Sequence, residues 1–352
     1  MTKLAVVLFN LGGPDRLQSV QPFLFNLFND PAIVRVPGPV RWLLAQFISR
    51  RRAPVAREIY ARLGGGSPLR ANTDAQARAL SLALAHHGAV QVFVVMRYWH
   101  PMSPMVVEQV KAFAPDRIVL LPLYPQFSTT TTASSLRDWQ RSAARAGLIA
   151  PTRVVGCYPT EPGLVEGLAA GIAPALTAAA KFGKPRLMFS AHGLPERIVA
   201  AGDPYQWQIE LTARRVAAAL QQPELDWLVC YQSRVGPLKW IGPSTEDELR
   251  RAGRDRVPVV VAPVSFVSDH AETLVEIEVE YRRLAEAAGV PCFVRVPALG
   301  TDDRFIRGLA RQVDAALGQP GEARTGHGGH LTVRPGAGER VCPAELAGCG
   351  CR

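Results

Sequence analysis

The stretch RVPVVVAPVSFVSDHAETLVEIEVEYRR, residues 256–283, decides the fold because it joins two patterns. Residues 256–266 form an almost continuous apolar run, which is typical of a strand buried on both faces. The amphipathic pattern that follows predicts a helix over 270–288. A buried strand followed directly by a helix is the repeating unit of parallel α/β sheets.

The same alternation of strand and helix runs through the rest of the chain. Further strands are predicted at residues 4–10, 90–98, 117–124, 152–158, 186–192, 226–233 and 291–297. Further helices are predicted at residues 72–86, 103–113, 134–146, 162–180, 204–221 and 302–317. We therefore expect an α/β protein with two Rossmann-like domains, each a parallel sheet flanked by helices. The expected ranges are 1–150 and 151–318 for the domains, and 319–352 for a Gly-rich linker with a Cys-rich tail.

Composition and charge limit the classes of function. The chain has 352 residues, 48% of them hydrophobic, which suffices for two domains with their own cores. The formal net charge of +10 favours anionic partners such as nucleic acid, acidic lipid head groups or small carboxylates. The arginines are dispersed and no nucleic-acid module is recognised, so nucleic acid is not expected as a partner. No run approaches the ~18 consecutive apolar residues of a membrane span, and the N-terminal segment lacks a signal-peptide cleavage site, so we expect a cytoplasmic protein.

Three carboxylates follow one another at four-residue intervals on the helix predicted over 270–288: Glu272, Glu276 and Glu280. In a helix each step of four residues advances about 40° around the axis, so the three share a face and repel one another there. The row is either a path for protons or metal ions or a half-solvated helix face. For Glu272 alone, a capping box with Asp269 as N-cap is a further explanation.

Two histidines accompany this row. His192 ends a predicted strand, and His270 lies two residues before Glu272. Imidazole and carboxylate from separate strand ends suit proton abstraction near neutral pH or binding of a divalent transition metal. For His192, a strand-end histidine bonded to a backbone carbonyl is the alternative. Other polar residues at predicted strand ends are Asn10, Arg97 and Tyr98.

The segment 21–52 contains two short amphipathic pieces followed by Arg50, Arg51 and Arg52. Such faces usually pack against their own domain. Alternatively, the segment forms an apolar lip that covers a flat ligand or rests on an anionic bilayer. Its large apolar residues are Phe23, Leu24, Leu27, Phe28, Trp42, Leu43, Phe47 and Ile48.

The C-terminal tail brings Cys342, Cys349 and Cys351 close together in the sequence. With a fourth ligand, three clustered cysteines hold zinc or an iron-sulfur cluster. Cys157 is the candidate for that ligand, whereas Cys230 and Cys292 lie within apolar strands and are expected to be buried thiols.

Seven motifs in order make the chain resemble the ferrochelatases over residues 4–317. They are NLGGP, YARLGGGSPL, MRYWHP, LPLYPQFSTTTTASS, FSAHGLPERI, YQSRVGPLKWIGPST and PVSFVSDHAETLVEIEVEY. The resemblance implies a lyase with two chelatase-type domains around a porphyrin cleft. It would insert Fe²⁺ into protoporphyrin IX, release two protons and form protoheme, the terminal step of haem biosynthesis.

The resemblance also assigns roles to individual residues. His192 matches the active-site histidine, and Glu272 matches a carboxylate expected to face it across the macrocycle, both as catalytic and as metal-binding residues. Asp269, His270, Glu276 and Glu280 match a proton or metal path. Porphyrin-binding positions are matched by Asn10, Leu11, Ser67, Arg97, Tyr98 and Trp240. A 2Fe-2S cluster is implied on Cys157, Cys342, Cys349 and Cys351, and the segment 21–52 matches a membrane-facing lip.

Two alternatives remain beside this function. One is a related chelatase that acts on coproporphyrin III or on a cobalt-accepting tetrapyrrole, and the other is a haem carrier without catalytic activity. The expected partners are protoporphyrin IX and ferrous iron. An anionic membrane is a further expected contact, at the inner face of the cytoplasmic membrane, and the expected assembly is a monomer or homodimer.

Overall fold

The computed structural model describes residues 2–234, 236, 238–318, 323–324 and 341–349. These residues fall into two compact units. Unit 1 contains the described residues of Met1–Tyr158 and Leu309–Val341, and unit 2 contains those of Pro159–Gly308 and Cys342–Cys349. Each unit is built around its own sheet.

The sheet of unit 1 consists of four parallel strands and a short antiparallel one. The parallel strands are β1 (Lys3–Asn10), β2 (Ala89–Met96), β3 (Arg117–Pro122) and β4 (Pro151–Val154), in the order β2-β1-β3-β4. The two-residue strand Ala323–Arg324, which is β9 in chain order, pairs antiparallel with β4.

Helices cover the sheet of unit 1, and its apolar strands are buried between them. They are α1 (Val20–Phe28), α2 (Gly38–Arg62), α3 (Leu69–Ala83), α4 (Ser103–Phe113) and α5 (Thr132–Ala146). Every residue of β1 from Leu4 onward is buried. Phe9 of β1 packs edge-on against Trp139 of α5, with ring centroids 5.8 Å apart.

Unit 2 has a sheet of four parallel strands. These are β5 (Arg186–His192), β6 (Asp226–Gln232), β7 (Val259–Pro263) and β8 (Phe293–Arg295), in the order β6-β5-β7-β8. Its helices are α6 (Pro162–Ala179), α7 (Glu196–Ala200), α8 (Tyr205–Ala219), α9 (Thr245–Asp255), a π-helix (Glu272–Tyr281) and α10 (Arg282–Ala287). A further helix, α11 (Asp303–Gly318), belongs to unit 1 from Leu309 onward.

The strand order marks one place in each sheet where a ligand is expected. In unit 1 the chain leaves β1 for β2 on one side and returns to β3 on the other, and in unit 2 β5 lies in the same way between β6 and β7. Crevices at the carboxyl ends of strands open where the order reverses in this manner. Asn10 ends β1 and His192 ends β5, so both lie at such a point.

The α/β fold with parallel sheets was predicted correctly from the sequence, and all eight predicted strands are present, six of them shorter than predicted. The helix predicted over 270–288 is instead a π-helix followed by α10. The capping box is wrong, because the Asp269 carboxylate accepts hydrogen bonds from Arg295 and the Ala298 amide.

The apolar segment 21–52 divides between core and surface. Phe23 and Leu24 of α1 are buried in a cluster with Tyr98. On α2, by contrast, Leu43 and Phe47 are each 62% exposed. Packing against the domain therefore explains the apolar residues of α1 but not the exposed ones of α2.

One helix among the described residues, Pro162–Phe182, is long and apolar enough to cross a membrane. It contains α6, which contacts α8, β7 and β8 within unit 2. A core helix passes the same test of length and composition, so this is weak evidence for a membrane span.

Candidate active site

His192 is fixed at the carboxyl end of β5 by its backbone. Its N–H donates to Ser265 Oγ at 3.2 Å, and its carbonyl accepts a hydrogen bond from the Tyr205 hydroxyl at 3.0 Å. The strand residues before it are buried, whereas 40% of the imidazole surface is exposed. The side chain is therefore held in place yet accessible.

Glu272 contacts this imidazole directly. His192 Nδ1 and Glu272 Oε2 lie 2.9 Å apart. The expectation that the two face each other across a macrocycle is wrong, since no flat ring can fit between groups in hydrogen-bond contact. Nδ1 is occupied by the carboxylate, which leaves Nε2 as the ring nitrogen available to a ligand.

His270 lies near the same carboxylate oxygen. Its Nε2 lies 3.9 Å from Glu272 Oε2, and its Nδ1 lies 3.1 Å from the Ser268 carbonyl. Because a carbonyl only accepts, Nδ1 carries the proton, and this bond fixes the orientation of the ring. The His270 side chain is 10% exposed.

Glu276 lies behind this group in a set of hydrogen-bond donors. Its Oε1 accepts from the Ser233 N–H at 2.8 Å and from the Tyr281 hydroxyl at 2.8 Å. Its Oε2 accepts from the Ser233 hydroxyl at 2.6 Å and from Gln232 Nε2 at 3.1 Å. Gln232 also donates to the Glu272 carbonyl at 3.2 Å, so one amide links the two glutamates.

The π-helix brings these two carboxylates to the same face. In a π-helix the N–H bonds to the carbonyl five residues back, which widens each turn, and such turns occur frequently at functional sites. Glu280, the third member of the row, is exposed to solvent. Asp269 lies in the loop before the helix and pairs with Arg295 at 3.0 Å.

The electrostatic environment shifts these groups in different directions. Burial would lower the pKa of His192, but the charge and hydrogen bond of Glu272 outweigh it and raise that pKa above its usual value. Burial would raise the pKa of Glu272, but the His192 charge reverses the effect and holds it well below its usual range. For Glu276, burial and then the charge of Glu272 raise the pKa. Adjacent carboxylates with pKa values driven apart are typical of sites that transfer protons.

Trp240 lies near the same end of unit 2, where its backbone forms an isolated antiparallel β-bridge with Pro195. Its indole N–H is buried and has no hydrogen-bond partner among the described residues. A cavity of about 240 Å³ is lined by Trp240 together with the three donors to Glu276, which are Gln232, Ser233 and Tyr281.

The strand ends of unit 1 carry a second polar group. Asn10 accepts from the Leu11 N–H at 2.8 Å and donates to Thr73. Arg97 and the Tyr98 hydroxyl both donate to Asp30 Oδ2 at 2.8 Å. The Arg97 side chain is only 15% exposed, so its charge is largely engaged within the unit.

Ser67 packs against Gly13 in unit 1. A Cβ atom at Gly13 would lie 2.5 Å from the Ser67 Cβ, which explains the glycine. The Ser67 N–H donates to the Pro14 carbonyl at 2.7 Å.

Two further arginines of unit 1 were missed by the sequence reading. Arg35 donates to the Thr129 hydroxyl at 3.4 Å, and Arg137 donates to the Thr129 carbonyl at 3.3 Å. Burial lowers the pKa of Arg137. The charge of Asp30 opposes this shift, and the neighbouring arginines, Arg97 among them, add to it. No periodicity marks such a cluster, because its members come from separate segments.

The cysteines are only partly described. Cys342 and Cys349 are buried in unit 2, and Gln208 Nε2 lies 2.9 Å from Cys342 Sγ. Cys157 is buried in unit 1, and Cys351 lies outside the described residues. Cys230 is the buried thiol that the sequence predicts, with a pKa raised by burial to about 12, whereas Cys292 is only half-buried.

The fold class follows from a structural comparison. The sirohydrochlorin chelatase SirB from Bacillus subtilis subspecies spizizenii, in complex with cobalt, superposes with a TM-score of 0.50 at 11% identity, covering 91% of this chain and 97% of that one. The two-sheet architecture is thus that of the metal chelatases.

Sequence comparison then defines the family. The Ferrochelatase family model matches residues 3–317. The ferrochelatase of Caulobacter vibrioides NA1000 is 53% identical over 99% of this chain and 98% of its own length. That of the Wolbachia strain wRi is 50% identical over 88% of this chain and 98% of its own length. This chain belongs to the ferrochelatase family, and it is a lyase that inserts ferrous iron into a porphyrin in haem biosynthesis.

Proposed function

We propose that His192 and Glu272 carry the insertion of Fe²⁺ into protoporphyrin IX from one and the same face of the macrocycle. The observation that carries this proposal is the contact of 2.9 Å between the imidazole and the carboxylate, with Glu276 behind them. One nitrogen and one oxygen donor in contact are a ligand set for ferrous iron, and the same pair accepts protons.

Two pyrrole protons must leave for each iron that enters. His192 Nε2 accepts a proton from a pyrrole nitrogen, and the raised pKa of His192 favours this imidazolium. Glu272 keeps its negative charge and stabilises the imidazolium. Glu276, whose pKa is raised, is the next acceptor. In this role the row is a proton path, and His270 Nε2 lies 3.9 Å from the Glu272 oxygen that contacts His192.

From Glu276 the proton has two routes to solvent. Its donors Ser233 and Tyr281 line the cavity of about 240 Å³, and Glu246 and Asp247 line the same cavity. Glu280 offers the second route along the helix row. We favour the cavity because three of its lining residues, Gln232, Ser233 and Tyr281, already bond to Glu276.

The test is a set of matched variants assayed for metal insertion. His192→Ala and Glu272→Gln are expected to lose about 10²- to 10⁴-fold in rate while porphyrin binding is retained. Glu278→Gln is the control, because Glu278 lies on the same π-helix and pairs with Arg282 and Arg295 instead. Activity near wild type in His192→Ala would remove the imidazole from the mechanism, and haem binding without turnover in wild type would favour a carrier.

The porphyrin is proposed to be protoporphyrin IX, which has two propionates rather than the four of coproporphyrin III. The apolar exposed surface of α2 supports the less charged substrate. Arg35 and Arg137 are proposed partners for the propionates, because Arg97 is already paired with Asp30. Comparing kcat/KM for the two porphyrins tests the choice, and a preference for coproporphyrin III or for cobalt would identify the alternative chelatase.

A membrane contact is proposed for α2. Trp42, Leu43 and Phe47 are exposed, and Arg50 and Arg51 follow on the same helix. Apolar residues followed by arginines suit the interface of an anionic bilayer, and we place the protein at the inner face of the cytoplasmic membrane on this basis. Co-sedimentation with anionic vesicles should fall in a Leu43→Ser/Phe47→Ser variant, and equal binding would contradict the contact. Light scattering distinguishes the monomer from the homodimer.

A 2Fe-2S cluster is proposed for the tail, held by Cys157, Cys342, Cys349 and Cys351. The described part of this set fits, because two of its thiols are buried in unit 2 and the Gln208 amide donates to the sulfur of Cys342. Hydrogen bonds donated to sulfur stabilise thiolate ligands and change the reduction potential of such clusters. The cluster would supply a one-electron redox centre.

The cluster is separable from iron insertion. The alignment with the Wolbachia ferrochelatase covers 98% of that protein but only 88% of this chain. A ferrochelatase can therefore be shorter than this chain. Cys349→Ala should bleach absorbance between ~300 and 600 nm without abolishing insertion.

A further inference from the structure

Three side chains of unit 1 that the catalytic proposal does not use converge on one point. His87 Nε2 lies 2.6 Å from Asp314 Oδ1, and His86 Nε2 lies 3.5 Å from the same oxygen. The two imidazole rings are stacked at a tilt, with centroids 4.2 Å apart. Consecutive side chains normally diverge, but here both rings turn toward a single carboxylate.

We propose that His86, His87 and Asp314 form a binding site for a divalent transition metal. Their three ligand atoms lie within 4.8 Å of one another. Metal–ligand bonds of about 2.0–2.2 Å require ligand atoms about 3.0–3.5 Å apart. The spacing of 3.5 Å between His86 and Asp314 meets this requirement, and the spacing of 2.6 Å to His87 needs an opening of less than about 1 Å.

The side chains are free to make this adjustment. His86 is 58% exposed, Asp314 is 42% exposed and His87 is 28% exposed. The carboxylate and the two Nε2 atoms provide three ligands, and the exposed side leaves room for water in the remaining positions. The proposed site is therefore reachable from solvent without any movement of the backbone.

The donor set selects the class of ion. Imidazole nitrogens suit Zn²⁺, Cu²⁺, Ni²⁺ and Fe²⁺, whereas Mg²⁺ and Ca²⁺ prefer sites made of oxygen ligands alone. In the general order of affinity, Zn²⁺ and Cu²⁺ bind such a site more tightly than Fe²⁺. The proposed ion is accordingly Zn²⁺ or Cu²⁺, which at equal free concentration would displace Fe²⁺ from this donor set.

This site lies at the opposite end of the sheet from the strand ends of unit 1. His86 and His87 belong to the 3₁₀ turn Ala85–His87, which directly precedes β2. Asn10 at the carboxyl end of β1 pairs with Met96 at the far end of β2. Eight residues of strand separate the two ends by about 25 Å. The proposed metal site is therefore separate from the polar group at the carboxyl ends of the strands, where Asn10 lies.

The second element of the site explains what a bound ion would do. Asp314 is on α11, so the metal would tie the C-terminal half of this helix to the turn before β2 within unit 1. An ion that binds the folded state alone stabilises it by mass action. At 100 times its dissociation constant, Zn²⁺ should raise the Tm by roughly 5 °C.

The experiment is a Zn²⁺ titration by calorimetry, with chain purified without a histidine tag and stripped by a chelator. Wild type should bind one ion more than either His87→Ala or Asp314→Asn, and His86→Ala should weaken the same step at least tenfold. His100→Ala removes an exposed imidazole elsewhere and should bind as wild type does. All variants should insert iron at the wild-type rate.

Thermal unfolding gives a second readout that is independent of stoichiometry. The Zn²⁺-dependent rise in Tm should be present in wild type and His100→Ala and absent in Asp314→Asn. Equal stoichiometry in wild type and Asp314→Asn, or an equal rise in Tm, would overturn the proposal. If His100→Ala loses the same ion, the site is not the one described here and the proposal is likewise overturned.

Discussion

Glu276→Gln is expected to slow iron insertion by roughly 10²- to 10⁴-fold while changing the free energy of unfolding by less than about 2 kcal/mol. The rate should fall because an amide cannot accept the proton that His192 releases. The stability should be nearly preserved because glutamine has the shape of glutamate and most of its hydrogen bonds can be rebuilt.

The hydrogen bonds give the magnitude of the stability change. A glutamine carbonyl at the position of Oε1 still accepts from the Ser233 N–H and from Tyr281. The amide group at the position of Oε2 can donate to the Ser233 hydroxyl, which rotates to accept. Only the bond from Gln232 Nε2 becomes a contact between two donors, which costs about 1–2 kcal/mol. Loss of the repulsion from Glu272 offsets part of this cost.

The assay is single-turnover insertion of Fe²⁺ into protoporphyrin, with thermal and denaturant unfolding on the same samples. Glu278→Gln serves as the control. Its partner Arg282 lies at 2.6 Å, but the pair is about one-third exposed, so the variant should lose at most ~1 kcal/mol and keep its rate. A rate for Glu276→Gln within twofold of wild type would refute the proton path and make the row a solvated helix face.

Three further outcomes are expected. Glu272→Gln should lower the pKa of His192, because burial then acts without the opposing charge; an NMR titration with an unchanged pKa would contradict this. The pKa of His192 is raised in the folded state, so its protonation stabilises the protein below pH 6.5, and this stabilisation is lost as the pH rises. The pKa of Glu272 is lowered in the folded state, so its ionisation stabilises the protein above pH 4.5, and this stabilisation is lost as the pH falls. The difference in unfolding free energy between wild type and Glu272→Gln should therefore be largest between these two values, and a difference that is flat with pH would argue against the ion pair. Asp30→Asn should cost about 3–5 kcal/mol in denaturant unfolding, because the largely buried Arg97 loses its nearest countercharge and keeps the more distant Asp138, at 3.7 Å. A cost below ~1 kcal/mol would mean that Asp138 or water replaces the carboxylate.

The fold was predictable because its signals are local. A valine-rich run such as Val259–Pro263 is buried on both faces, and no other environment suits it, so the strand is fixed by its own residues. The π-helix was not predictable in this way. Its spacing of carboxylates is compatible with an α-helix, and the choice depends on contacts of Glu272 and Glu276 with residues 40 or more positions away.

The sequence predicts which residues belong to the candidate site, but it does not predict how their side chains are arranged. His192 and Glu272 could be chosen because each follows a buried strand, and strand ends of a parallel sheet meet at one edge. Whether they touch or face each other across a ligand depends on side-chain packing at that edge, which no periodicity records. Ser233 and Tyr281 were missed because a serine at a strand end and a tyrosine in a helix have many uses.

The contact between His192 and Glu272 constrains the order of events on this face. A proton on His192 Nε2 and an iron ion on the same nitrogen exclude one another, because each requires the one lone pair that Glu272 leaves available. Iron can be held by the pair only after the proton has left, and metal binding at such a site releases protons in return. The carboxylates lie on the Nδ1 side of the ring, so a proton that moves through Nδ1 toward Glu276 leaves the other proton on Nε2. His192 can therefore act as a base while Glu276, whose pKa is raised, takes the proton from the Nδ1 side, but Nε2 becomes a ligand only once it has lost its own proton. Glu276→Gln should block the first of these roles.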